Sequence, residues 1–160
     1  MEKGFTLVEL LVVVAVIAIT LAIAIPMLMS QMPKWHVNGT VRDIQAKFMM
    51  ARMRAIQENK IYGVAFTLTG AIDSYRVVKF NGATWDSVGI VAEGAADVDI
   101  LPAGCAGDRV EFYENGTADG SGVCGPSNDV EIVEVRGTSG GFSRKLHLNT
   151  YTGNIIMTGG

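Results

Sequence analysis

One carboxylate, Glu9, stands at the edge of a long apolar stretch. The residues from Leu10 to Met29 form a run of twenty without a single charge. A charged side chain beside such a run is costly in a membrane, so it is expected to find a cationic partner. The alternative is that Glu9 reaches the lipid headgroups and needs no protein partner.

The remaining titratable side chains form no catalytic set. His36 and His147 lie in no motif that supplies them with a partner, and no pair of acids or metal-ligand spacing is found. The acidic residues Asp97, Asp99 and Asp108 could hold calcium in a loop, but a solvated acidic surface is the favoured interpretation. We therefore expect neither an enzyme nor a bound cofactor.

The glycine-rich segment Gly120–Gly125 formally matches GxGxxG. A dinucleotide site needs a helix directly after this motif, whereas Pro126 follows here, so we predict a loop. The only two cysteines, Cys105 and Cys124, would pair in an oxidising compartment. That disulfide would close a loop of about 20 residues and add roughly 3 kcal/mol of stability. Two separate buried thiols are the alternative.

The apolar run has the length of a membrane span. Twenty helical residues measure about 30 Å, which matches a hydrocarbon core and exceeds the apolar part of an ordinary secretory signal. The 160-residue chain thus combines a membrane segment with one modest domain. Charge counting alone favours a cytoplasmic domain, because Lys34, Arg42 and Lys47 outnumber Lys3.

Before the apolar run, a short Glu-Lys leader ends in Gly4, and Phe5 and Glu9 follow. This arrangement resembles the class III signal of type IV pilins and type II secretion pseudopilins. The resemblance implies that prepilin peptidase cuts between Gly4 and Phe5 on the cytoplasmic side. It also implies N-methylation of Phe5 and a periplasmic domain, which overrides the charge count.

The same resemblance gives Glu9 a partner. In pilin-like assembly the carboxylate would pair with the cationic amine of Phe5 on a neighbouring subunit and fix the axial register. The implied partners are other pilin or pseudopilin subunits, prepilin peptidase, the inner membrane and secreted protein substrates. The implied location is a single-pass anchor in the bacterial inner membrane, with assembly into a periplasmic or extracellular filament.

A second stretch, "FMMARMRAIQENKIYGVAF", resembles the H-type minor pseudopilins and FimT-like minor pilins. The residues that carry this resemblance are Arg52, Ala55, Ile56 and Asn59. It implies a minor pseudopilin or minor pilin, a structural subunit of a type II secretion or type IV pilus filament. It argues against the alternative of a major pilin that builds a long fibre.

Another alternative is a FimT-like subunit that binds DNA for transformation. Such relatives carry arginines near the C-terminal end, where this chain reads "TGNIIM". Arg144 and Lys145 are the nearby cations, and residues 61–160 carry twelve acidic side chains against six basic ones. We therefore do not expect nucleic acid as a partner, because phosphate neutralisation dominates DNA affinity.

The helical part is expected to be interrupted. Pro26 and Pro33 predict a kink, and Asn38-Gly39 predicts a second break, after which Thr40 would cap a new helix. This helix should end near Asn59. Its apolar face, predicted from helical spacing, consists of Val41, Ile44, Phe48, Ala51 and Ala55.

The chain after Asn59 alternates short apolar strands with turns. We predict strands at "YGVAFTLT", "SYRVVKF", "VDIL", "RVEFY", "VEIVEV", "RKLHLN" and "NIIMT", with a hairpin at Asn81-Gly82. The expected fold is α+β: a long apolar helix, broken near Pro26–Gly39, continues into an amphipathic helix packed on antiparallel sheets or a β-sandwich, the pilin fold. The expected segments are a leader (1–4), a transmembrane or filament-core helix (5–33), an amphipathic helix (34–59) and a periplasmic β-rich domain (60–160).

Overall fold

The computed structural model describes residues 6–68, 72–103, 108–120, 127–138 and 141–159. Within these ranges two helices precede nine strands. The helices are α1 (Leu7–Met29) and α2 (Met32–Glu58). The chain divides into two compact units between Met32 and Pro33, so α2 belongs with the strands.

The predicted helix break exists, but it lies between the two prolines. Pro26 sits inside α1, which continues to Met29, and the break falls at residues 30–31. Pro33 is the second residue of α2, a position at which its missing amide proton costs little because no intrahelical partner is available there.

The second predicted break was wrong. Asn38 and Gly39 lie inside α2, and Thr40 is a buried helical residue, 8% exposed, instead of a cap. A glycine inside a helix costs about 1 kcal/mol. Val37 and Val41 are fully buried on either side, and burying such side chains contributes roughly 1.5–3 kcal/mol each. Packing therefore outweighs the local turn preference.

The apolar face of α2 is confirmed. All five residues predicted from the spacing are fully buried, together with Val37. The helix ends at Glu58, and Asn59 then adopts a positive φ of 51°. Asparagine tolerates this left-handed conformation, which ends many helices, and the Lys60 amide donates to the Ala55 carbonyl at 3.2 Å. The predicted end near Asn59 is therefore correct.

The strands form two antiparallel sheets. The first sheet has the order β3-β2-β1-β5-β6 and the second has the order β4-β7-β8-β9. The strands are β1 (Tyr62–Thr67), β2 (Ser74–Phe80), β3 (Trp85–Glu93), β4 (Val98–Pro102), β5 (Arg109–Phe112), β6 (Ala118–Gly120), β7 (Val130–Gly137), β8 (Ser143–Asn149) and β9 (Asn154–Gly159).

Helix α2 supplies the centre of the core shared by both sheets. The Phe48 ring lies 6.1 Å from the ring of Phe66 in β1 and 6.0 Å from that of Phe112 in β5. Buried side chains of the second sheet, such as Ile132 and Leu146, belong to the same cluster. The predicted architecture, an apolar helix followed by a helix packed on antiparallel sheets, is confirmed.

Candidate assembly site

Helix α1 begins with a capped first turn that contains Glu9. Thr6 has an extended backbone, and its hydroxyl accepts a hydrogen bond from the Glu9 amide at 3.3 Å. Thr6 and Glu9 have the spacing of a capping box, a local motif that the sequence analysis missed. The carboxylate is exposed in the first turn, where the helix dipole favours a negative charge.

The rest of α1 presents apolar side chains on every side. None of its 23 residues is buried, and at 1.5 Å per residue the helix is about 35 Å long. The one polar side chain in its middle, Thr20, donates to the carbonyl of Ile17 at 2.8 Å. Among the described residues, α1 is the helix long and apolar enough to cross a membrane. A helix that is apolar all round needs lipid or other helices around it.

Helix α2 carries a second apolar surface on its outward side. A groove with a volume of about 370 Å³ lies between this helix and the start of β9. Met49, Arg52, Met53 and Ile56 form one wall, and residues 153–155 form the other. We call this feature the α2–β9 groove. About half the surface of Met49, Met53 and Ile56 is exposed, so three large apolar side chains here lack cover.

Of the described residues that line this groove, Arg52 is the only charged one. Its side chain lies against Gly153 and Gly116, two turn glycines with positive φ angles of 64° and 83°. The Arg52 Nε atom is buried and has no hydrogen-bond partner among the described residues. A buried donor without a partner costs free energy, and because the chain itself covers this atom, a group from outside cannot reach it.

Two polar contacts hold α2 against β2 on the side away from the groove. The Tyr75 hydroxyl donates to the Asp43 carboxylate at 2.7 Å, and burial followed by this hydrogen bond raises the pKa of Tyr75. Lys79 Nζ lies 2.6 Å from Glu58, whose hydrogen bond raises the pKa of Lys79. The same bond lowers the pKa of Glu58. These contacts fix the rotation of α2 and thereby the direction in which the groove opens.

Both histidines have carboxylate partners that sequence reasoning missed. His36 Nδ1 lies 2.8 Å from Asp97, and His147 Nδ1 lies 2.7 Å from Asp129. These partners are absent from any local motif, as the sequence analysis noted, and are brought close only by the fold. The pairs join residues 61 and 18 positions apart, so no local motif could reveal them.

The acidic residues considered for calcium do not gather into a site. Asp97 is engaged by His36, and Asp99 lies 3.9 Å from Arg136. Within the described ranges, no group of three or more acidic, histidine or cysteine side chains has the arrangement of a metal site.

Arg144 and Lys145, the candidate DNA contacts, are both engaged within the chain. Lys145 Nζ lies 2.9 Å from Glu131, and this hydrogen bond raises the pKa of Lys145. Arg144 Nε donates to the Asn38 side chain at 3.3 Å. As neighbours in β8 they point to opposite faces of the sheet and form no common basic patch.

Four residues of the predicted sites lie outside the described residues. These are the cleavage pair Gly4 and Phe5 and the cysteines Cys105 and Cys124. Of the residues that carried the second resemblance, Ala55 belongs to the core and Asn59 ends the helix. The other two, Arg52 and Ile56, line the α2–β9 groove.

Comparison with known proteins agrees with both parts of this description. A family model described as the prokaryotic N-terminal methylation motif matches residues 1–25. The structure is similar to two crystal forms of the type IV minor pilin FimU from Pseudomonas aeruginosa, with TM-scores of 0.59 and 0.56. Both are 14% identical to this chain and cover 78% and 76% of it, against 90% and 91% of their own length.

At 14% identity this likeness shows the fold, which is that of a pilin. With the methylation motif at its N-terminus, the chain is type IV pilin-like.

Proposed function

We propose that this chain is a minor pseudopilin or minor pilin, a structural subunit of a pilus-like filament. The proposal is supported chiefly by helix α1, which is capped, about 35 Å long and exposed on every side. This helix begins within the matched methylation motif. Such a helix serves first as a membrane anchor and then as part of a helical filament core. The filament belongs to a type II secretion system or a type IV pilus.

Processing precedes assembly. Prepilin peptidase cleaves between Gly4 and Phe5 on the cytoplasmic face of the inner membrane, and the new amine of Phe5 is methylated. Methylation leaves that amine cationic. The unit that follows α1 then lies in the periplasm, where Cys105 and Cys124 form a disulfide.

Glu9 then guides each subunit into the filament. Its carboxylate lies in the first turn of α1 with no cation nearby in the helix. A Glu9–Phe5 pair between neighbouring subunits would satisfy both charges inside an apolar bundle. Breaking one side of a buried ion pair costs about 3–5 kcal/mol, so subunits that dock in the wrong axial register are rejected.

The work of such a subunit is contact with other proteins. Its partners are other pilin-like subunits and, at the exposed part of the filament, secreted protein substrates. Two observations speak against the DNA-binding alternative: Lys145 is paired with Glu131, and Arg144 lies on the opposite face of β8, so the two form no joint cationic patch for phosphate.

Mass spectrometry of the chain after co-expression with prepilin peptidase tests this proposal. We expect a mature chain that begins at Phe5 and carries one methyl group on its terminal nitrogen. A Gly4→Asp variant should keep its leader, and a Gly39→Ala variant should be processed normally because Gly39 lies in α2. A wild-type chain that stays uncleaved, or is cleaved elsewhere, would overturn the proposal.

A further inference from the structure

The first turns of α2 present a tryptophan and a lysine to the outside. Trp35 is 59% exposed, the highest value for any tryptophan, tyrosine or phenylalanine among the described residues, and Lys34 beside it is also exposed. Tryptophan is enriched where a membrane meets water, because its ring suits the acyl chains and its N–H group suits the headgroups. The pair is therefore suited to a lipid surface.

The position of this pair in the chain brings it to such a surface. Helix α1, the candidate membrane span, ends at Met29, and Trp35 follows six positions later. The covalent chain alone keeps Trp35 within about 20 Å of the end of α1. The headgroup layer on each side of a hydrocarbon core is about 5–7 Å deep and begins where the span ends. Both side chains can therefore reach this layer.

The packing of α2 turns Trp35 away from the domain. Pro33 and Val37 lie one turn apart on the same side of the helix, and both lie close to Gly137, the last residue of β7. Trp35 lies halfway between them in the chain and so projects about 160–200° around the helix from either. Its ring therefore points outward, and the second sheet does not cover it.

Two polar contacts hold this end of α2 in that rotation. His36 Nδ1 lies 2.8 Å from the carboxylate of Asp97, in the turn before β4. Two residues later, the Asn38 side chain accepts a hydrogen bond from Arg144 Nε of β8 at 3.3 Å. These two residues of α2 project about 200° apart around the helix, so the helix is held on two sides.

The charge of this segment also suits a lipid surface. Residues 33–42 contain the basic side chains Lys34 and Arg42 and no acidic one, whereas residues 61–160 carry twelve acidic side chains against six basic ones. Arg42 is exposed and follows Trp35 by seven positions, which places it on the same face of α2 two turns further along. Headgroup phosphates attract basic side chains that lie close to them.

We propose that the first turns of α2 dock on the headgroup layer of the membrane that α1 anchors to. The Trp35 ring lies between the phosphates and the acyl chains, and Lys34 pairs with phosphate. This docking holds the unit that begins at Pro33 against the bilayer until the subunit enters a filament. The inference rests on the proposed function, because it requires α1 to be a membrane anchor before assembly.

Depth-dependent fluorescence quenching in the full chain tests this docking. The chain has two tryptophans, so Trp85→Phe leaves Trp35 as the only one and keeps an aromatic ring beneath Arg109. The variant is reconstituted in vesicles of phosphatidylcholine and phosphatidylglycerol, with or without bromine on the acyl carbons nearest the headgroup. We expect bromine to lower the Trp35 emission about twofold, because the ring lies at that depth.

Trp35→Phe is the matched control, since it leaves Trp85, in β3, as the only tryptophan, and bromine should hardly change its emission. The difference between wild type and Trp35→Phe also gives the Trp35 signal, should Trp85→Phe fail to fold. Lys34→Glu in the Trp85→Phe background should weaken the quenching. Lys60→Glu, the same change at an exposed residue beyond the far end of α2, should leave it as it is.

The outcomes separate this docking from the proposed function. Trp35 emission that bromine leaves unchanged, or equal quenching of Trp35 and Trp85, overturns the docking and leaves the function standing. Equal effects of Lys34→Glu and Lys60→Glu overturn the pairing of Lys34 with phosphate. A chain that does not float with the vesicles in a density gradient lacks the anchor, and that result overturns both the docking and the function.

Discussion

Replacement of Phe48 by alanine should remove the side chain that joins α2 to the first sheet. Phe48 is fully buried and packs its ring against those of Phe66 and Phe112. A buried Phe→Ala change costs about 3–5 kcal/mol through lost transfer free energy and the cavity left behind. That range already includes the loss of ring pairs such as these two, which contribute roughly 0.5–1.5 kcal/mol each. We expect the free energy of unfolding to fall by about 4 kcal/mol.

Urea unfolding of residues 33–160, followed by circular dichroism, measures this value, since this unit contains α2 and its core. Trp35→Ala is the matched control on the same helix, because this aromatic is 59% exposed and should matter by less than about 0.5 kcal/mol. If Phe48→Ala fails to fold, Phe48→Leu should still fold and lose less than the alanine variant. A loss below about 1 kcal/mol for Phe48→Ala would refute the packing of α2 described above.

Three further predictions concern the unit that contains α2. Gly153→Ala should destabilise it by about 1–3 kcal/mol, since φ is 64° and a Cβ would collide with the neighbouring turn. Gly39→Ala, which lies in open space within the helix, should stabilise it by up to about 1 kcal/mol. Urea unfolding of the two variants measures both effects. Because the pKa of Tyr75 is raised above 10.0, the folded state keeps a proton that the unfolded state loses, so stability should fall as pH rises above about 10, by up to 1.4 kcal/mol per pH unit. Tyr75→Phe should reduce that slope, and an identical slope in urea midpoints would contradict the assignment. Finally, DNA binding by residues 33–160 should be weak at low salt and unchanged in Arg144→Ala/Lys145→Ala; steep salt dependence that this double variant abolishes would restore the DNA-binding alternative.

The parts of the fold that the sequence predicted are those in which burial and pattern agree. The face of α2 that contains Phe48 repeats at helical spacing and is buried throughout. Strand β3 was missed because all nine of its residues are exposed or half-buried and Gly89 interrupts its pattern. Strand β6 was missed because it has only three residues. The wrong break at Asn38-Gly39 came from a local turn preference that tertiary packing overrides.

The residues of the candidate site also differ in whether the sequence alone reveals them. Glu9 could be singled out in the sequence because a carboxylate beside an apolar run is costly and the surrounding motif is specific, and its role in assembly stays a prediction. Arg52 was noticed through a resemblance alone, since its setting depends on two turns more than 60 residues further along the chain.

A Glu9→Leu variant tests most directly whether Glu9 places the subunit in a filament. The variant and wild type are produced in cells that assemble the filament, and the mature chain is quantified in the membrane and in the isolated filament fraction. We predict that Glu9→Leu is cleaved and anchored in the membrane normally. Its amount in the filament fraction should fall at least a hundredfold, because breaking a buried ion pair costs about 3–5 kcal/mol. Thr20→Leu, which changes no charge, should enter filaments as wild type does. Equal recovery of Glu9→Leu and wild type in the filament fraction would contradict the claim.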